Sequence, residues 1–248
     1  MRKIVIANSK GGVAKTTTSV NLGAGLARRG HRTLLIDLDT QGHIARSLGI
    51  EPQITLATVV EEEMMPQEAM IEARPNLYVL AGGRELAGTK RLIARRDLGS
   101  EMALYEALAP LDNQFEYVLL DTAPSWDVLN INALFYANEI LVPVSLEVLA
   151  LHGVADFIAS VKVVQRYNPH IRLRYILPTF LDLRVAKSNE ILEQLQNHFN
   201  GLVLPPIRYS VRLSEAPGFG QSIFEYAPGS RGALDYEELV ERIEKDGA

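Results

Sequence analysis

The chain has 248 residues, of which 47% are hydrophobic and 22% are charged, which is an ordinary globular composition, and its length fits one domain of the α/β kind. It contains no cysteine, which excludes disulfides, cysteine-ligated zinc, iron–sulfur clusters and thiol nucleophiles. The net charge of −5 requires that any contact with nucleic acid comes from a local basic patch, and the short apolar stretches predict a cytoplasmic protein without a membrane-spanning helix.

Short apolar runs alternate along the chain with segments of helical periodicity. In chain order, the pattern predicts a strand at Lys3–Asn8, a helix at Lys15–Arg29, strands at Thr33–Asp37, Leu77–Leu80 and Tyr117–Asp121, a helix at Asp127–Ala137, a strand at Glu139–Val144, a helix at Leu149–Tyr167, a strand at Arg172–Leu177, and helices at Lys187–Phe199 and Leu234–Lys245. Between Gly49 and Arg74 the pattern predicts no clear element, and Glu61–Glu63 is expected to be a solvated turn. Continuous apolar strands separated by helices indicate an α/β fold, with a doubly wound, mostly parallel sheet and helices on both faces.

Polar residues stand where three of the predicted strands end. Asn8, Asp37 and Asp121 occupy these positions. In doubly wound sheets, ligands bind at the carboxyl ends of the strands. We therefore expect the functional residues to cluster just after these three positions.

The segment Ser9–Thr17 joins the first strand to the first helix and contains two adjacent glycines. Strand, glycine-containing loop, Lys-Thr and helix is the order of a phosphate-binding loop, in which backbone N–H groups and the helix N-terminus face the phosphate oxygens. This pattern assigns Lys15 to the β- and γ-phosphates and the Thr16 hydroxyl to Mg²⁺. The usual G-x-x-x-x-G-K-[ST] spacing is not met, because Ser9 and Ala14 occupy its glycine positions.

A second lysine, Lys10, precedes the glycine pair and gives the deviant Walker A form K-G-G-x-x-K-[ST]. With it, the sequence resembles the ParA/Soj subgroup of the ParA/MinD ATPases over nearly the whole chain. The further motifs that carry the resemblance are Asp37–Gly42 (DLDTQG), Glu85–Gly88 (ELAG), Leu119–Ser125 (LLDTAPS), Asn132–Leu134 (NAL), Val211–Pro217 (VRLSEAP) and Ser230–Ala233 (SRGA). The resemblance implies that residues 1–248 form a single P-loop ATPase domain that binds and hydrolyses ATP with Mg²⁺.

The resemblance also implies roles for individual residues. Asp39 orients or activates the attacking water, and Asp121 holds Mg²⁺ through water beside Thr16. Asp37, at the end of a strand, is interpreted as mainly structural, and a contribution to the outer shell of the metal stays open. Lys10 crosses a two-fold interface to the nucleotide of a second subunit, so that Lys10 and Asp39 are the candidate catalytic residues. The candidate nucleotide-binding residues are Lys10, Gly11, Gly12, Val13, Ala14, Lys15, Thr16 and Thr17 of the loop, with Arg208, Tyr209 and Ser210 beside the adenine.

Three positions depart from the family pattern. Ala14 replaces a glycine, and its methyl group is harmless if φ is negative there and obstructive if φ is positive. Thr40 replaces a proline after Asp39, which predicts a looser loop. Ile207–Ser210 reads I-R-Y-S instead of the usual I-P-R-N. Whether these changes alter nucleotide specificity or turnover stays open at the level of sequence.

ParA-type members bind DNA non-specifically as ATP-bound dimers, whereas MinD-type members bind membranes through a basic C-terminal helix. Here Glu237–Asp246 carries five acids and two bases, so membrane binding is unfavourable. The resemblance thus implies a homodimer that forms on ATP binding, associates with nucleoid DNA and is activated by a ParB-like or other partner protein. The candidate DNA contacts are Arg212 in the VRLSEAP segment, Arg184 and Lys187 where a loop leads into a predicted helix, and Lys90, Arg91 and Arg95 in the densest basic stretch, for which a solvated helix face is the alternative interpretation.

Two other functions stay open. A metabolic ligase of the dethiobiotin-synthetase kind shares the P-loop fold, but it needs a small-molecule pocket and gives no reason for the VRLSEAP segment. A non-hydrolysing, nucleotide-dependent scaffold is suggested by Ala14 and Thr40. Turnover of ATP with and without DNA separates these hypotheses. The motifs do not distinguish a chromosome, a plasmid or a protein compartment as the cargo.

Overall fold

A computed structural model describes residues 1–147 and 150–247, which contain one seven-stranded sheet. The strands are β1 (Arg2–Ile6), β2 (Thr33–Asp37), β3 (Met70–Arg74), β4 (Leu77–Leu80), β5 (Tyr117–Asp121), β6 (Glu139–Ser145) and β7 (Arg172–Thr179). Their order across the sheet is β3-β4-β2-β5-β1-β6-β7, and every neighbouring pair is parallel except β3 with β4. The predicted doubly wound, mostly parallel sheet is therefore confirmed.

Helices connect the strands and cover the sheet. They are α1 (Lys15–Arg28), α2 (His43–Leu48), α3 (Leu56–Glu61), α4 (Pro66–Ala69), α5 (Leu86–Ala94), α6 (Ala103–Leu108), α7 (Val128–Tyr136), α8 (Ala150–Gln165), α9 (Ala186–His198), α10 (Val211–Glu215), α11 (Ile223–Tyr226) and α12 (Arg231–Lys245). The predicted helices are present, although α12 begins at Arg231 rather than Leu234, and the predicted start at Leu149 lies outside the described residues. None of the helices described here is long and apolar enough to cross a membrane.

Alternate side chains of the strands enter two hydrophobic cores, one on each face of the sheet. Val5 and Leu120 pack in the core beneath α5, α7 and α8, whereas Ile4 and Leu119 pack in the core beneath α1 and α12. All four side chains are fully buried. Burying each such side chain contributes roughly 1.5–3 kcal/mol. The central strands are apolar on both faces for this reason, which is why their sequence shows no alternation.

The region between Gly49 and Arg74 is more structured than its sequence pattern predicts. It contains the short helices α3 and α4 and the strand β3. β3 is the one strand among the described residues that runs antiparallel to its neighbour, and it reaches β4 through a turn in which Asn76 has a φ of +65°. Glu61 ends α3 rather than lying in a turn, although Glu61–Glu63 is exposed as predicted.

The register of the parallel strands places the carboxyl ends of β1, β2 and β5 side by side. Ile6, at the end of β1, pairs with Asp121, at the end of β5, and Asp37, at the end of β2, also pairs with Asp121. The loops after β1, β2 and β5 therefore leave the same edge of the sheet side by side. This edge is where the sequence predicted the functional residues.

Candidate functional site

The loop between β1 and α1 turns twice through the left-handed region of backbone space. Gly12 has a φ of +70° and Ala14 a φ of +67°. The second turn places Lys15 at the start of α1. At Ala14 the φ is thus positive, the obstructive case, and a left-handed conformation costs an L-residue roughly 1–2 kcal/mol.

Lys15 points back into this loop. Its side chain is buried, and its Nζ donates a hydrogen bond to the carbonyl oxygen of Lys10 at 2.9 Å. Burial lowers the pKa of Lys15, although the carboxylates of Asp121 and Asp39 oppose the shift. The ammonium group is thereby held where the loop would enclose phosphate oxygens, between the phosphate loop and two acids.

Asp121 ends β5 beneath the start of α1. Its carboxylate is fully buried and accepts hydrogen bonds from the Thr16 hydroxyl at 2.7 Å and the Ser19 hydroxyl at 3.0 Å. Burial raises the pKa of Asp121 more than these two hydrogen bonds lower it. A buried carboxylate beside a threonine hydroxyl is an oxygen donor set of the kind that Mg²⁺ prefers. Thr16 and Asp121 therefore fit a magnesium ion held together with the phosphates.

Asp37 and Asp39 differ in surroundings although they are two residues apart. Asp37 is fully buried and accepts hydrogen bonds from the backbone N–H groups of Asp39 at 2.9 Å and Ile44 at 3.1 Å. Burial and the neighbouring Asp121 raise the pKa of Asp37. Asp39 is half-buried and accepts a hydrogen bond from the backbone of Gln41. Asp37 thus shapes the loop after β2, and Asp39 is the acid that this loop presents.

An open cavity of about 350 Å³ lies over the phosphate loop and collects most of the predicted site. It is lined by Gly11, Gly12, Ala14, Lys15, Thr16, Thr17, Asp39, His43, Thr122, Pro124 and Phe180. Thr122 and Pro124 belong to the LLDTAPS motif, which gave them no individual role, whereas His43 and Phe180 were not singled out from the sequence. The position of His43 directly after the DLDTQG segment was the available signal. No sequence motif pointed to Phe180. Its backbone has a φ of +59°, which only the structure reveals.

A second cavity, of about 230 Å³, shares Ala14, Thr17 and Phe180 with the first. It contains the segment predicted to lie beside the adenine and is lined further by Thr179, Ile207, Arg208, Tyr209, Ser210, Leu213, Ser214 and Tyr236. The guanidinium of Arg208 is held by Asp235, to which its Nη2 donates at 2.5 Å and its backbone N–H at 2.8 Å. Arg208 is thereby fixed at the wall of the cavity, and Tyr209 is largely exposed.

Lys10 does not line the cavity over the phosphate loop. Its Nζ forms an ion pair with Glu147 at 2.6 Å on the surface, and the side chain is 43% exposed. Val13 is buried beneath the loop, where its carbonyl oxygen accepts a hydrogen bond from Thr179 at 3.3 Å. The two lysines of the loop therefore point to different places, Lys15 inward and Lys10 outward.

Most of the basic residues predicted to contact DNA are engaged with acids of the same chain. The ion pairs are Arg184 with Asp182 at 2.7 Å, Lys187 with Glu190 at 2.9 Å, Arg212 with Glu215 at 2.9 Å and Lys90 with Asp127 at 2.6 Å. Arg91 and Arg95 are exposed and form no ion pair within the described part of the chain. The first three pairs join residues close in sequence and lie on the surface, whereas Lys90 and Asp127 are each only about one quarter exposed.

Comparison with known proteins gives matches over the whole chain. A protein-family model described as an AAA domain matches residues 1–173. The chain is 40% identical over 245 residues to the chromosome-partitioning ATPase Soj of Thermus thermophilus, covering 98% of this chain and 95% of that protein. It is 36% identical over 250 residues to the sporulation initiation inhibitor protein Soj of Bacillus subtilis, covering 98% of each.

Solved structures also match this chain over its full length. Cobyrinic acid a,c-diamide synthase from Mycobacterium smegmatis, with bound ATP analog and magnesium, has a TM-score of 0.85 and 34% identity. The match covers 100% of this chain and 97% of that chain.

Proposed function

This chain belongs to the ParA/Soj-type partition ATPases of the ParA/MinD family and is an ATP hydrolase that uses ATP and Mg²⁺, and we propose that it works as a slow, DNA-bound timer. Residues 1–248 act as a single domain that dimerises on ATP, binds DNA non-specifically and hydrolyses ATP slowly to segregate DNA or position another cytoplasmic cargo. The observation that carries this proposal is the opposite direction of the two loop lysines. Lys15 lies inside the cavity, and Lys10 extends away from it.

Within one subunit the phosphate loop provides binding and charge neutralisation. Its backbone N–H groups and Lys15 take the β- and γ-phosphates, and Thr16 and Asp121 hold the magnesium ion, which neutralises charge on the phosphate oxygens when bound. Asp39 stands at the rim of the same cavity and orients the water that attacks the γ-phosphate. Arg208, Tyr209 and Ser210 border the adenine.

Across the dimer, Lys10 completes the site of the other subunit. In the isolated chain its ammonium group rests on Glu147, an exposed pair of a kind that contributes little to stability. Exchange of this carboxylate for the phosphates of a nucleotide bound to a second copy would bring a positive charge to the place where charge develops in the transition state. Hydrolysis then removes the contact and releases the dimer.

DNA binding follows from the same dimer. One subunit has only scattered cations on an acidic protein, and a dimer presents each of them twice. The candidate contacts are Arg212, Arg184, Lys187, Arg91 and Arg95, whereas Lys90, the sixth residue predicted from the sequence, is held by Asp127. Each phosphate neutralised contributes a slope of about −0.9 to the salt dependence of binding, so doubling the contacts should make that dependence steeper. A ParB-like or other partner would raise the rate of hydrolysis on the nucleoid.

The decisive experiment combines light scattering with a duplex DNA titration at several salt concentrations, with ATP or ADP present. Wild-type protein should dimerise and bind DNA with ATP only, and Lys10→Ala should bind ATP but lose the dimer and hydrolysis. Arg212→Glu should weaken DNA binding, and Glu215→Gln, which frees Arg212, should strengthen it. A full dimer from Lys10→Ala would contradict the role of Lys10 across the dimer interface. Equal DNA affinity with ATP and with ADP would contradict control of DNA binding by the nucleotide.

The name of the Mycobacterium smegmatis protein, a diamide synthase, is the observation that favours a ligase as the second candidate. The 40% identity to a chromosome-partitioning ATPase and the VRLSEAP segment favour the first. A ligase would turn over ATP regardless of DNA, and a scaffold would bind ATP without turnover. Measuring ATP turnover with and without DNA therefore decides among the three.

A further inference from the structure

Asp127 lies where the loop after β5 enters α7, and its two carboxylate oxygens accept hydrogen bonds from different partners. Its Oδ1 accepts hydrogen bonds from the backbone N–H groups of Leu129 at 3.0 Å and Asn130 at 3.2 Å, which caps α7. Its Oδ2 accepts from Ser125 Oγ at 2.8 Å and from Lys90 Nζ at 2.6 Å. The ammonium group of Lys90, which comes from α5, thus fixes the end of a loop far away in sequence.

The loop held in this way begins at the candidate metal ligand. It runs from Asp121 to Asp127, and two of its residues, Thr122 and Pro124, line the cavity over the phosphate loop. A methyl group added at Gly11 would lie 3.7 Å from Pro124 Cβ, so the two loops are separated at this point by about the width of one methyl group. A shift of the loop would therefore change both the position of Asp121 and the shape of the cavity over the phosphate loop.

The segment that carries Lys90 also touches the loop of Asp39. Just before α5, a side chain at Gly82 would collide with the backbone oxygens of Asp37 at 2.6 Å and Asp39 at 2.7 Å. The backbone of Gly82 is therefore pressed against the base of the acidic loop after β2. One segment, residues 81–90, contacts the two loops that carry Asp39 and Asp121.

We propose that Lys90 is a positioning residue for ATP hydrolysis, which holds the Ser125–Asp127 loop through Asp127 and so fixes it relative to the Asp39 loop. The proposal rests on the ATPase function stated above. Lys90 is then used inside the protein rather than on DNA. Because the ion pair is mostly buried and joins distant elements, its loss frees the loop without removing any group that binds nucleotide.

The protein contains its own probe for this loop. Trp126 is the only tryptophan of the sequence, lies between Ser125 and Asp127, and is 41% exposed. We would compare Lys90→Met, Lys90→Arg and Asp127→Asn, the last of which keeps an N-cap residue for α7. Lys245→Met, the same change at an exposed lysine of α12, is the matched control. The measurements are acrylamide quenching of Trp126, nucleotide affinity, and kcat and KM without DNA.

We expect quenching of Trp126 to rise about twofold in Lys90→Met and in Asp127→Asn, and kcat to fall about tenfold with nucleotide affinity within about threefold, since a displacement of 1 Å can cost about 10²-fold in rate. Lys90→Arg should keep the quenching of Trp126 and kcat close to the wild-type values, and Lys245→Met should match the wild type in both quantities. Unchanged quenching in Lys90→Met, or a loss confined to DNA binding, would overturn the proposal. If wild-type protein hydrolyses no ATP, the proposed function fails, and the quenching data still decide whether Lys90 holds the loop.

Discussion

Exchanging glycine and alanine at two positions of the phosphate loop should change stability in opposite directions. Gly12 and Ala14 share nearly the same left-handed backbone, with φ of +70° and +67°. A methyl group at Gly12 would meet no atom within 4 Å, so the change Gly12→Ala is purely conformational. Gly12→Ala is therefore expected to destabilise the protein, and Ala14→Gly to stabilise it.

The size of the effect is a difference between two terms. A left-handed conformation costs an L-residue roughly 1–2 kcal/mol, and glycine loses about 0.5–1 kcal/mol more backbone entropy on folding than alanine does. The net change in the free energy of unfolding is about 0.5–1 kcal/mol for each variant. In a protein of this size, 1 kcal/mol corresponds to about 2–4 °C in Tm.

The assay is urea denaturation without nucleotide, because both residues line the cavity over the loop. Gly153→Ala is the control, since Gly153 lies inside α8 with open space around it and no positive φ. There the change should stabilise by about 1 kcal/mol, since alanine is the better helix former. A loss of stability in Ala14→Gly, or a gain in Gly12→Ala, would refute the argument that the backbone conformation alone sets the sign.

Three further predictions concern single side chains. Lys15→Ala should abolish ATP binding in titration calorimetry by removing the main positive charge on the phosphates, and unchanged affinity would exclude the phosphate-loop assignment. Asp39→Ala should bind ATP but release phosphate about 10²–10⁴-fold more slowly, and wild-type turnover would move the role elsewhere. Burial lowers the pKa of His31, but hydrogen bonds with Glu116 and Glu244, both at 2.8 Å, raise it more. The stabilisation is full below about pH 6.5 and is lost as the pH rises through the raised pKa, so wild type, unlike His31→Gln, should lose stability as the pH rises above about 6.5 in urea titrations.

The central strands could be predicted from sequence because their residues are buried on both faces, which leaves an uninterrupted apolar run. β3 could not, because it is an edge strand and all of its residues are partly or fully exposed. It also pairs antiparallel with β4, against the direction of the other strands. Short helices such as α3 and α4 contain too few turns for a helical period to be recognised.

The phosphate loop was predictable because its geometry depends on neighbours in sequence. A strand, two glycines and a lysine at the helix start determine where the backbone N–H groups point. Contacts between distant segments were not predictable, since no local pattern encodes that Lys90 meets Asp127 or that Arg208 meets Asp235. The sequence indicated which residues are basic, and only the structure shows which acid each of them faces.

Ion pairs within the chain lower the affinity that each basic residue can contribute to DNA binding. Arg184, Lys187 and Arg212 each face a carboxylate two or three residues away, so a DNA phosphate must displace an acid before it gains a cation. The gain per contact is then a difference between two ion pairs, and the released acids take up counterions that partly cancel those lost from DNA. In the proposed dimer, single contacts are therefore weak, and useful affinity requires both copies of every contact at once. This makes DNA binding depend steeply on dimerisation, which is the step that ATP binding and hydrolysis control.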